Sequence, residues 1–257
     1  MTSLDPSFQQ ADWPVPANVR VVQTRRHGGV SLPPFSSLNL GDHVGDDVQA
    51  VACNRSRILP AEGPVRGVWL KQVHGTRVLD VDAWLSGGHD MHDMHPPEAD
   101  AAVAREPGHA CLVMTADCLP VLFCHREGSV VAAAHAGWRG LCDGILEKTV
   151  TAMACPADEI LAWMGPAIGP QAFEVGDEVR VAFIAKDPQA AAAFLPARVP
   201  GQWFGNLFLL ARQRLALAGV GEIYGGGVCT YSHPDEYFSY RREGQTGRMV
   251  SGIWLDL

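Results

Sequence analysis

The segment that decides the fold runs from residue 99 to residue 136 and reads ADAAVAREPGHACLVMTADCLPVLFCHREGSVVAAAHA. It holds four apolar runs in close succession, ADAAVA, ACLVMTAD, PVLFCH and SVVAAAHA, separated by proline, glycine or polar residues. Strands that are apolar on both faces are typical of the middle of a sheet that is covered on both sides. The segment therefore predicts adjacent buried strands at the centre of the protein.

Shorter patterns on either side complete the predicted architecture. Before the central segment we predict a strand over residues 18–24, a short helix over 48–59, and a strand over 67–75 with 76–82 as its neighbour. After it we predict helices over residues 140–154, 175–184 and 206–220, and strands over 159–165, 222–231, 237–242 and 248–257. This mixture predicts a single α/β domain over residues 1–257, a layered sandwich with a mixed sheet, in which residues 1–17 form an N-terminal extension.

Composition and charge exclude several classes of protein. The chain has 257 residues, 47% of them hydrophobic, with a formal net charge of -8 and a pI near 5.6. Such a chain has no general attraction for phosphate backbones or anionic lipid, so we expect neither nucleic acid nor membrane as a partner. The N-terminus lacks a signal-peptide pattern, and the seven cysteines are odd in number without a CxxC pair. We therefore expect a cytoplasmic monomer with free thiols.

Three short stretches place reactive side chains at predicted strand ends, two of them close to glycine. They are KQVHG with His74, MTADCLP with Asp117 and Cys118, and AAAHAGWRG with His135. Two imidazoles and a thiolate are a suitable three-ligand set for a catalytic zinc ion, which keeps a fourth position for water. The same side chains also suit a cysteine hydrolase, with Cys118 as nucleophile, His135 as base and Asp117 as the group that orients the base. The residues alone leave both hypotheses open.

The most conspicuous histidines lie elsewhere, in the stretch GGHDMHDMHPPEAD that begins at Gly87. His89, His92 and His95 are spaced by three residues between a Gly-Gly pair and a Pro-Pro pair. Proline limits any helix there to a turn or two, so the stretch is predicted to be a surface connection. Accessory capture of a metal such as copper is its alternative role.

Arginines next to glycines are candidates for phosphate binding. Arg26 precedes Gly28 and Gly29, and Arg241 lies in the stretch YFSYRREG. A guanidinium can hold a phosphate through two parallel hydrogen bonds, which a lysine cannot do. A solvated edge strand is the alternative explanation for the charged pair at residues 241 and 242.

Eleven motifs resemble the YfiH family. They are TRRHGGVS, SLNLGDHVGDD, WLKQVHG, MTADCLPVLF, AAAHAGWRGL, LAWMGPAIGP, FEVG, CTYS, FSYRR and GRM, together with the EADA stretch, and they extend from about Val21 to the C-terminus. Members have been labelled laccase-domain proteins, multicopper polyphenol oxidases, peptidoglycan editing factors and purine nucleoside phosphorylases. The resemblance implies a layered α/β fold, like that of the cytotoxic necrotizing factors, in one domain.

The resemblance also implies a cofactor and an activity. It implies a zinc ion held by His74, Cys118 and His135. It further implies a zinc-dependent enzyme that phosphorolyses adenosine, inosine and methylthioadenosine and deaminates adenosine, so that purine nucleoside and phosphate are its partners. Where many relatives have a cysteine this chain has Gln171, which leaves Cys118 as the sulfur of the site.

Residue roles follow from the matched motifs. Cys118, Arg26 and Asp117 are the predicted catalytic residues. Asp100 is a further candidate for proton transfer or for orienting a ligand. The predicted substrate-binding residues are Arg26, Asn39, Gln72, Arg139 and Arg241.

Two other functions remain alternatives at this point. One is a cysteine hydrolase or peptidoglycan-precursor editing enzyme that uses Cys118 and His135. The other is a copper-dependent polyphenol oxidase, as the laccase label suggests. No two of the ten histidines are separated by a single residue, and oxidases with several coppers depend on such pairs, so the sequence disfavours the second.

Overall fold

The computed structural model describes residues 7–59, 63–89 and 96–257. Its strands are β1 (Val19–Gln23), β2 (Arg66–Val68), β3 (Val78–Asp80), β4 (Ala101–Ala104), β5 (His109–Thr115), β6 (Leu119–His125), β7 (Val131–Ala136), β8 (Ile160–Met164), β9 (Glu174–Gly176), β10 (Phe194–Pro196), β11 (Gln202–Gly205), β12 (Glu222–Gly225) and β13 (Met249–Leu255). Its α-helices are α1 (Val48–Ile58), α2 (Val81–Ser86), α3 (Trp138–Asp143), α4 (Ile145–Met153), α5 (Asp177–Lys186), α6 (Leu207–Leu217) and α7 (Tyr240–Glu243).

The central apolar segment builds most of a six-stranded sheet. The strand order is β12-β8-β6-β7-β4-β3. The inner strands pair antiparallel, and the outermost pair on each side is parallel. Every residue of β4, β6 and β7 is buried, as the apolar pattern predicts for strands covered on both faces.

A second, four-stranded sheet has the order β1-β13-β5-β2 and packs face to face on the first. The two sheets share one buried cluster, to which Val113 and Ile253 contribute from the four-stranded sheet and Leu122 and Trp163 from the six-stranded sheet. Strand β5 is therefore the one central strand that leaves the six-stranded sheet. A small antiparallel sheet of order β10-β11-β9 completes the fold.

Helices and a loop cover the outer faces of the sandwich. Phe123 and Ala134 point away from the second sheet and pack in a cluster with Leu146 of α4 and Leu210 of α6. Side chains alternate across a strand, so neighbouring residues of β6 and β7 supply both clusters. The outer face of the four-stranded sheet is covered by Leu38 and Leu40 from the loop before α1, by Leu59 at the end of that helix, and by Trp69. They pack on the sheet residues Ala110, Leu112, Met114 and Val250.

The layered α/β class is confirmed, and several local predictions are wrong. Residues 78–80 pair with β4 rather than with β2, because β2 joins the other sheet. Residues 237–242 form no strand; α7 begins there, with the Ser239 hydroxyl accepting a hydrogen bond from the Arg242 N–H. The helix predicted over residues 140–154 is two helices separated by Gly144, whose φ of 98° is left-handed.

The first described residues contact the body of the protein. Phe8 makes a backbone bridge to Thr24, and Trp13 is buried in the cluster between the two sheets. That residues 1–17 are an extension of the domain stays a prediction, and residues 1–6 lie outside the described part. No helix in the described part is long and apolar enough to cross a membrane.

We predict that Leu122→Ala destabilises the protein by about 2–5 kcal/mol, since it removes buried methyl groups and leaves a cavity between the sheets. Leu122 is fully buried, whereas Leu217 at the end of α6 is 67% exposed. Leu217→Ala is the control and should change the free energy of unfolding by less than about 0.5 kcal/mol. Urea denaturation measures both. Equal effects would contradict the packing of the two sheets against each other.

Candidate metal centre and its cavity

Three side chains that are far apart in sequence meet at one end of the sandwich. His74 lies in the loop between β2 and β3, Cys118 lies between β5 and β6, and His135 is on β7. Their ligand atoms all lie within 4.8 Å of one another. Cys118 Sγ is 3.7 Å from His74 Nε2, and the two imidazole rings meet edge to face with centroids 4.8 Å apart. The structure thus brings together the three residues predicted as metal ligands.

Glycines beside the ligands make this close approach possible. A Cβ on Gly137 would lie 2.6 Å from His74 Cδ2 and 3.1 Å from Cys118 Sγ. A Cβ on Gly140 would lie 2.8 Å from the carbonyl oxygen of Gly75. The glycines of the HAGWRG stretch therefore leave room for the His74 loop to pack against the start of α3.

A buried carboxylate, Asp100, holds both histidines in place. One carboxylate oxygen is 2.8 Å from His135 Nδ1 and accepts a hydrogen bond from the backbone N–H of His74 at 2.9 Å. The other accepts hydrogen bonds from the N–H groups of Gly75 and Val73 at 2.7 and 3.2 Å. With Nδ1 donating to Asp100, His135 presents Nε2 as a ligand, the usual arrangement of a carboxylate behind a metal-binding histidine.

The same hydrogen bonds account for an uncommon backbone conformation. His74 has φ of 60°, in the left-handed region that residues with a Cβ rarely adopt. Three successive N–H groups, those of residues 73–75, converge on Asp100. This convergence offsets the cost of the conformation and aims the imidazole at Cys118.

Electrostatics favour a charged thiolate at the centre. Burial opposes ionisation of Cys118, but the attraction of His135 and hydrogen bonds from both imidazoles outweigh it and lower the pKa of Cys118 to about 6. Burial likewise opposes the charged form of His135, but Cys118 and Asp100 raise its pKa to about 9. Burial would raise the pKa of Asp100, and its hydrogen bonds, that from His135 foremost, lower it instead. The Cys118 sulfur is therefore available as an anionic donor.

This donor set suits a metal ion. A thiolate and two imidazoles are typical ligands of a catalytic zinc ion, and the same set occurs in copper sites. All three side chains also face one cavity, so a fourth coordination position would open towards a bound molecule.

The cavity has a volume of about 520 Å³. One part of its wall is the metal-ligand cluster, and the rest combines apolar and aromatic side chains with two arginines. Its lining residues are His43, Gln72, His74, Met114, Thr115, Ala116, Asp117, Cys118, His135, Trp138, Ile168, Phe173, Leu207, Tyr240, Arg241 and Arg248.

The two arginines of the cavity are suited to binding an anion. Arg241 donates from its side chain to the carbonyl oxygens of Ala172 and Glu174. Arg248 donates to two backbone carbonyls of the preceding residues. Within the described residues neither forms an ion pair with a carboxylate, unlike Arg26 and Arg242. Their positive charge in the cavity is therefore available to a bound anion.

Asp117 lines the cavity but is held by its neighbours. Its two carboxylate oxygens accept hydrogen bonds from the Thr230 hydroxyl at 2.6 Å and from the backbone N–H of Arg241 at 2.7 Å. Its φ of 96° turns the chain sharply between β5 and β6. These contacts attach α7, which carries Tyr240 and Arg241, to the strand connection that carries Cys118.

Two of the predicted substrate-binding residues, Gln72 and Arg241, line the cavity. The Gln72 side chain donates to the carbonyl of Met114 and accepts from its N–H. This pairing holds the loop that carries His74 against the end of β5.

Arg26, Asn39 and Arg139 are not among the lining residues. Arg26 pairs with Glu243 at 2.8 Å and packs over the ring of Phe238. Asn39 is fully buried and accepts a hydrogen bond from the N–H of Arg248 at 2.9 Å. Arg139 is exposed and lies over the ring of Trp138. The structure thus shows structural contacts for these three, and their contact with substrate stays a prediction.

The sequence-based prediction omitted other residues of the cavity wall, notably His43, Trp138, Phe173, Tyr240 and Arg248. Trp138 and Tyr240 lie next to the selected residues Arg139 and Arg241. His43 lies in the SLNLGDHVGDD motif, from which only Asn39 was selected. Phe173 and Arg248 lie in the FEVG and GRM motifs, to which no role was assigned. Membership of these motifs was the signal that could have identified them.

Of the three conspicuous histidines only His89 is described. Its ring stacks on that of Trp84, with centroids 3.9 Å apart. His92 and His95 lie outside the described residues, so metal capture by this stretch stays a prediction.

Comparisons with known proteins agree with the motifs. A model of the multi-copper polyphenol oxidoreductase laccase family matches residues 20–256. A purine nucleoside phosphorylase of Pseudomonas aeruginosa is 51% identical over 244 residues, which cover 95% of this chain and 96% of that protein. The purine nucleoside phosphorylase YfiH of Escherichia coli is 53% identical over 244 residues, with the same coverage.

Solved structures show the same fold. The crystal structure of a Neisseria meningitidis protein superimposes with a TM-score of 0.90 at 49% identity and covers 98% of this chain and 100% of that one. The crystal structure of YlmD from Geobacillus stearothermophilus superimposes with a TM-score of 0.84 at 32% identity and covers 98% and 99%.

We predict that Asp100→Asn weakens zinc binding roughly 10- to 100-fold, because an amide is uncharged and a poorer partner for the His135 imidazole and the three N–H groups. Titration of zinc against a competing chelator measures the affinity, and circular dichroism checks the fold. Asp12→Asn, at an exposed position, is the control and should bind zinc with the affinity of the wild-type protein. Equal affinities for all three proteins would show that Asp100 does not support the centre.

Proposed function

The chain belongs to the YfiH family of multi-copper polyphenol oxidoreductase laccase-like proteins, and from this premise we propose that it is a purine nucleoside phosphorylase. The observation that carries the proposal is a cavity whose wall combines the His74, Cys118 and His135 cluster with two arginines that form no ion pair within the described residues. Relatives with about half of their residues identical bear the name purine nucleoside phosphorylase.

The dimensions and lining of the cavity suit a nucleoside. Its volume of about 520 Å³ lies within the roughly 300–1,000 Å³ typical of small-molecule sites. Trp138, Phe173 and Tyr240 supply aromatic faces, on which a purine ring can stack. Arg241 and Arg248 supply the charge that phosphate requires.

Phosphorolysis needs two things from the protein. A phosphate oxygen must be held beside the anomeric carbon C1′ of the ribose, and the purine must leave with the electron pair of the broken C1′–N9 bond. Arg241 and Arg248 bind and orient the phosphate in this proposal. The aromatic side chains position the purine and exclude water, which would otherwise compete with phosphate for C1′.

His74, Cys118 and His135 hold the proposed zinc ion. When bound, zinc supplies a Lewis acid that can polarise a substrate oxygen or lower the pKa of water. That chemistry supports the finer part of the proposal, the deamination of adenosine to inosine, in which water replaces the amino group on the purine and ammonia leaves. Methylthioadenosine is the further proposed substrate of phosphorolysis.

A cysteine hydrolase is the second candidate, because the structure pairs a thiol of lowered pKa with an imidazole of raised pKa, as nucleophilic cysteines require. It differs from the first in needing no metal. A copper-dependent oxidase, suggested by the name of the family model, would instead need stoichiometric copper and would consume oxygen with phenols.

We predict that the purified protein contains one zinc ion per chain and releases hypoxanthine from inosine only when phosphate is present. Cys118→Ala should lose both the zinc and the activity, since it removes the anionic ligand. Cys53→Ala is the matched control, because Cys53 is an exposed free cysteine outside the cavity. Metal analysis and chromatography of the products measure both properties.

The other outcomes identify the alternatives. Hypoxanthine release that is independent of phosphate would replace the phosphorylase with a hydrolase. Activity that survives removal of the metal but is blocked by alkylation of Cys118 would favour the cysteine hydrolase. Copper at one equivalent or more with oxygen uptake on phenols would favour the oxidase. Absence of ammonia release from adenosine would overturn the deaminase part alone.

We predict that Arg248→Met raises the KM for phosphate roughly tenfold or more and changes the KM for inosine much less. A hydrogen bond between charged groups contributes about 1.5–3 kcal/mol, which corresponds to this range. Methionine preserves the packing of the side chain against Gly41. Arg139→Gln, outside the cavity, is the comparison, and steady-state kinetics with varied phosphate measures both. A larger effect of Arg139→Gln than of Arg248→Met would assign the phosphate to the start of α3.

A further inference from the structure

Phosphorolysis leaves the purine with a surplus electron pair, so the departing base needs a proton. A side chain that donates it in the transition state accelerates such a reaction by about 10²–10⁴-fold. The donor must line the cavity and carry a transferable proton near neutral pH. The need for such a donor rests on the proposed phosphorylase activity.

Most titratable groups of the cavity are already engaged. Apart from its arginines, the described lining residues that titrate are His43, His74, Asp117, Cys118, His135 and Tyr240. Three of these form the metal-ligand cluster. Both carboxylate oxygens of Asp117 accept hydrogen bonds. His43 and Tyr240 remain, and histidine is the side chain that enzymes use most often as a general acid.

The surroundings of His43 suit a proton donor. Its Nδ1 is 3.5 Å from a carboxylate oxygen of Asp42, and the other oxygen of Asp42 is 3.3 Å from the Arg55 guanidinium. Arg55 is itself fixed, because it donates to the Leu40 carbonyl and packs over the ring of Trp69. A chain of three charged or chargeable groups thus links α1 to the cavity wall.

Asp42 is held in its ionised form. The neighbouring His43 lowers the pKa of Asp42, burial opposes this, and Arg55 lowers it further. An ionised carboxylate beside Nδ1 orients the ring, as in catalytic dyads of carboxylate and histidine. Nε2, the other ring nitrogen, is the atom that would donate to a molecule bound in the cavity that His43 lines.

Other charged or titratable groups line the same cavity as His43. The side chain of Arg248 packs against Gly41, two residues from His43, where a Cβ would lie 2.7 Å from Arg248 Cγ. Tyr240 and Arg241 of α7 line the same cavity, as does Asp117. His43 therefore shares with Arg248 the wall of the cavity that would hold both phosphate and nucleoside.

We propose that His43 is the proton donor to the departing purine. In this step a bond forms between a phosphate oxygen and C1′, and the C1′–N9 bond breaks. The electron pair of the broken bond passes into the purine ring, and the proton on His43 Nε2 transfers to N7 of the base. The neutral imidazole then regains a proton from solvent, so that atoms and charge balance over one turnover.

The test compares two substrates in the full-length zinc-loaded enzyme. Inosine needs a proton to release hypoxanthine, whereas 7-methylinosine already bears a positive charge on its purine and releases its base without one. His43→Gln should lower kcat on inosine by about 100-fold or more and change kcat on 7-methylinosine by less than about threefold. The zinc content and thermal stability of His43→Gln should match those of the wild-type protein.

Two further variants make the comparison specific. Asp42→Asn keeps His43 but removes its carboxylate, so it should lower kcat on inosine by a smaller factor and again spare 7-methylinosine. His109→Gln is the matched control, since His109 also pairs with a carboxylate, Asp82, at the far end of β5 from the cavity. It should leave activity on both substrates unchanged.

Each other result overturns the inference. An equal loss on both substrates would make His43 a binding or positioning residue, and full activity of His43→Gln on inosine would exclude it as the donor. If the unchanged enzyme releases no hypoxanthine from inosine with phosphate, the proposed function itself fails, and the role of His43 fails with it.

Discussion

The buried carboxylate of Asp100 is the interaction on which the candidate site depends. A charge removed from water is costly unless hydrogen bonds replace its hydration, and here four groups do so: the His135 imidazole and the N–H groups of residues 73–75. Because these donors come from β7 and from a separate loop, satisfying one charge fixes the relative positions of two metal ligands. The backbone carbonyl of Asp100 adds a hydrogen bond from the N–H of His135.

The packing of the two sheets explains why the metal-ligand cluster lies at one end of the sandwich. Strands β5 and β6 are adjacent in sequence but belong to different sheets, so residues 116–118 must cross between them at one end of the sandwich. The crossing places Cys118 beside the histidines, and the left-handed conformation of Asp117 turns the chain there. Asp117 also anchors α7 through the N–H of Arg241. The metal-ligand cluster and Arg241 thus share one cavity because the same turn supports both.

Sequence patterns were reliable where burial is continuous and unreliable where chain segments from distant parts of the sequence decide the conformation. The strands over residues 101–136 were predicted because each is apolar throughout, and the trio of His74, Cys118 and His135 because each lies at a predicted strand end and has a side chain able to bind a metal. Residues 237–242 look like a strand by composition, but contacts with Asp117 and Glu243 fold them into α7. Arg26 looked available for phosphate, yet Glu243, more than 200 positions away, pairs with it.

The sequence by itself determined the α/β class, the buried central strands and the three side chains able to form a metal centre, because periodicity and residue chemistry are local properties of the chain. Only the tertiary structure decided which arginines line the cavity without an acidic partner among the described residues, and that His43, beside Asp42 and Arg55, lies on its wall. The physical reason is that the charge available to a ligand depends on which opposite charges lie nearby in space. That proximity is set by how the loops at one end of two packed sheets meet.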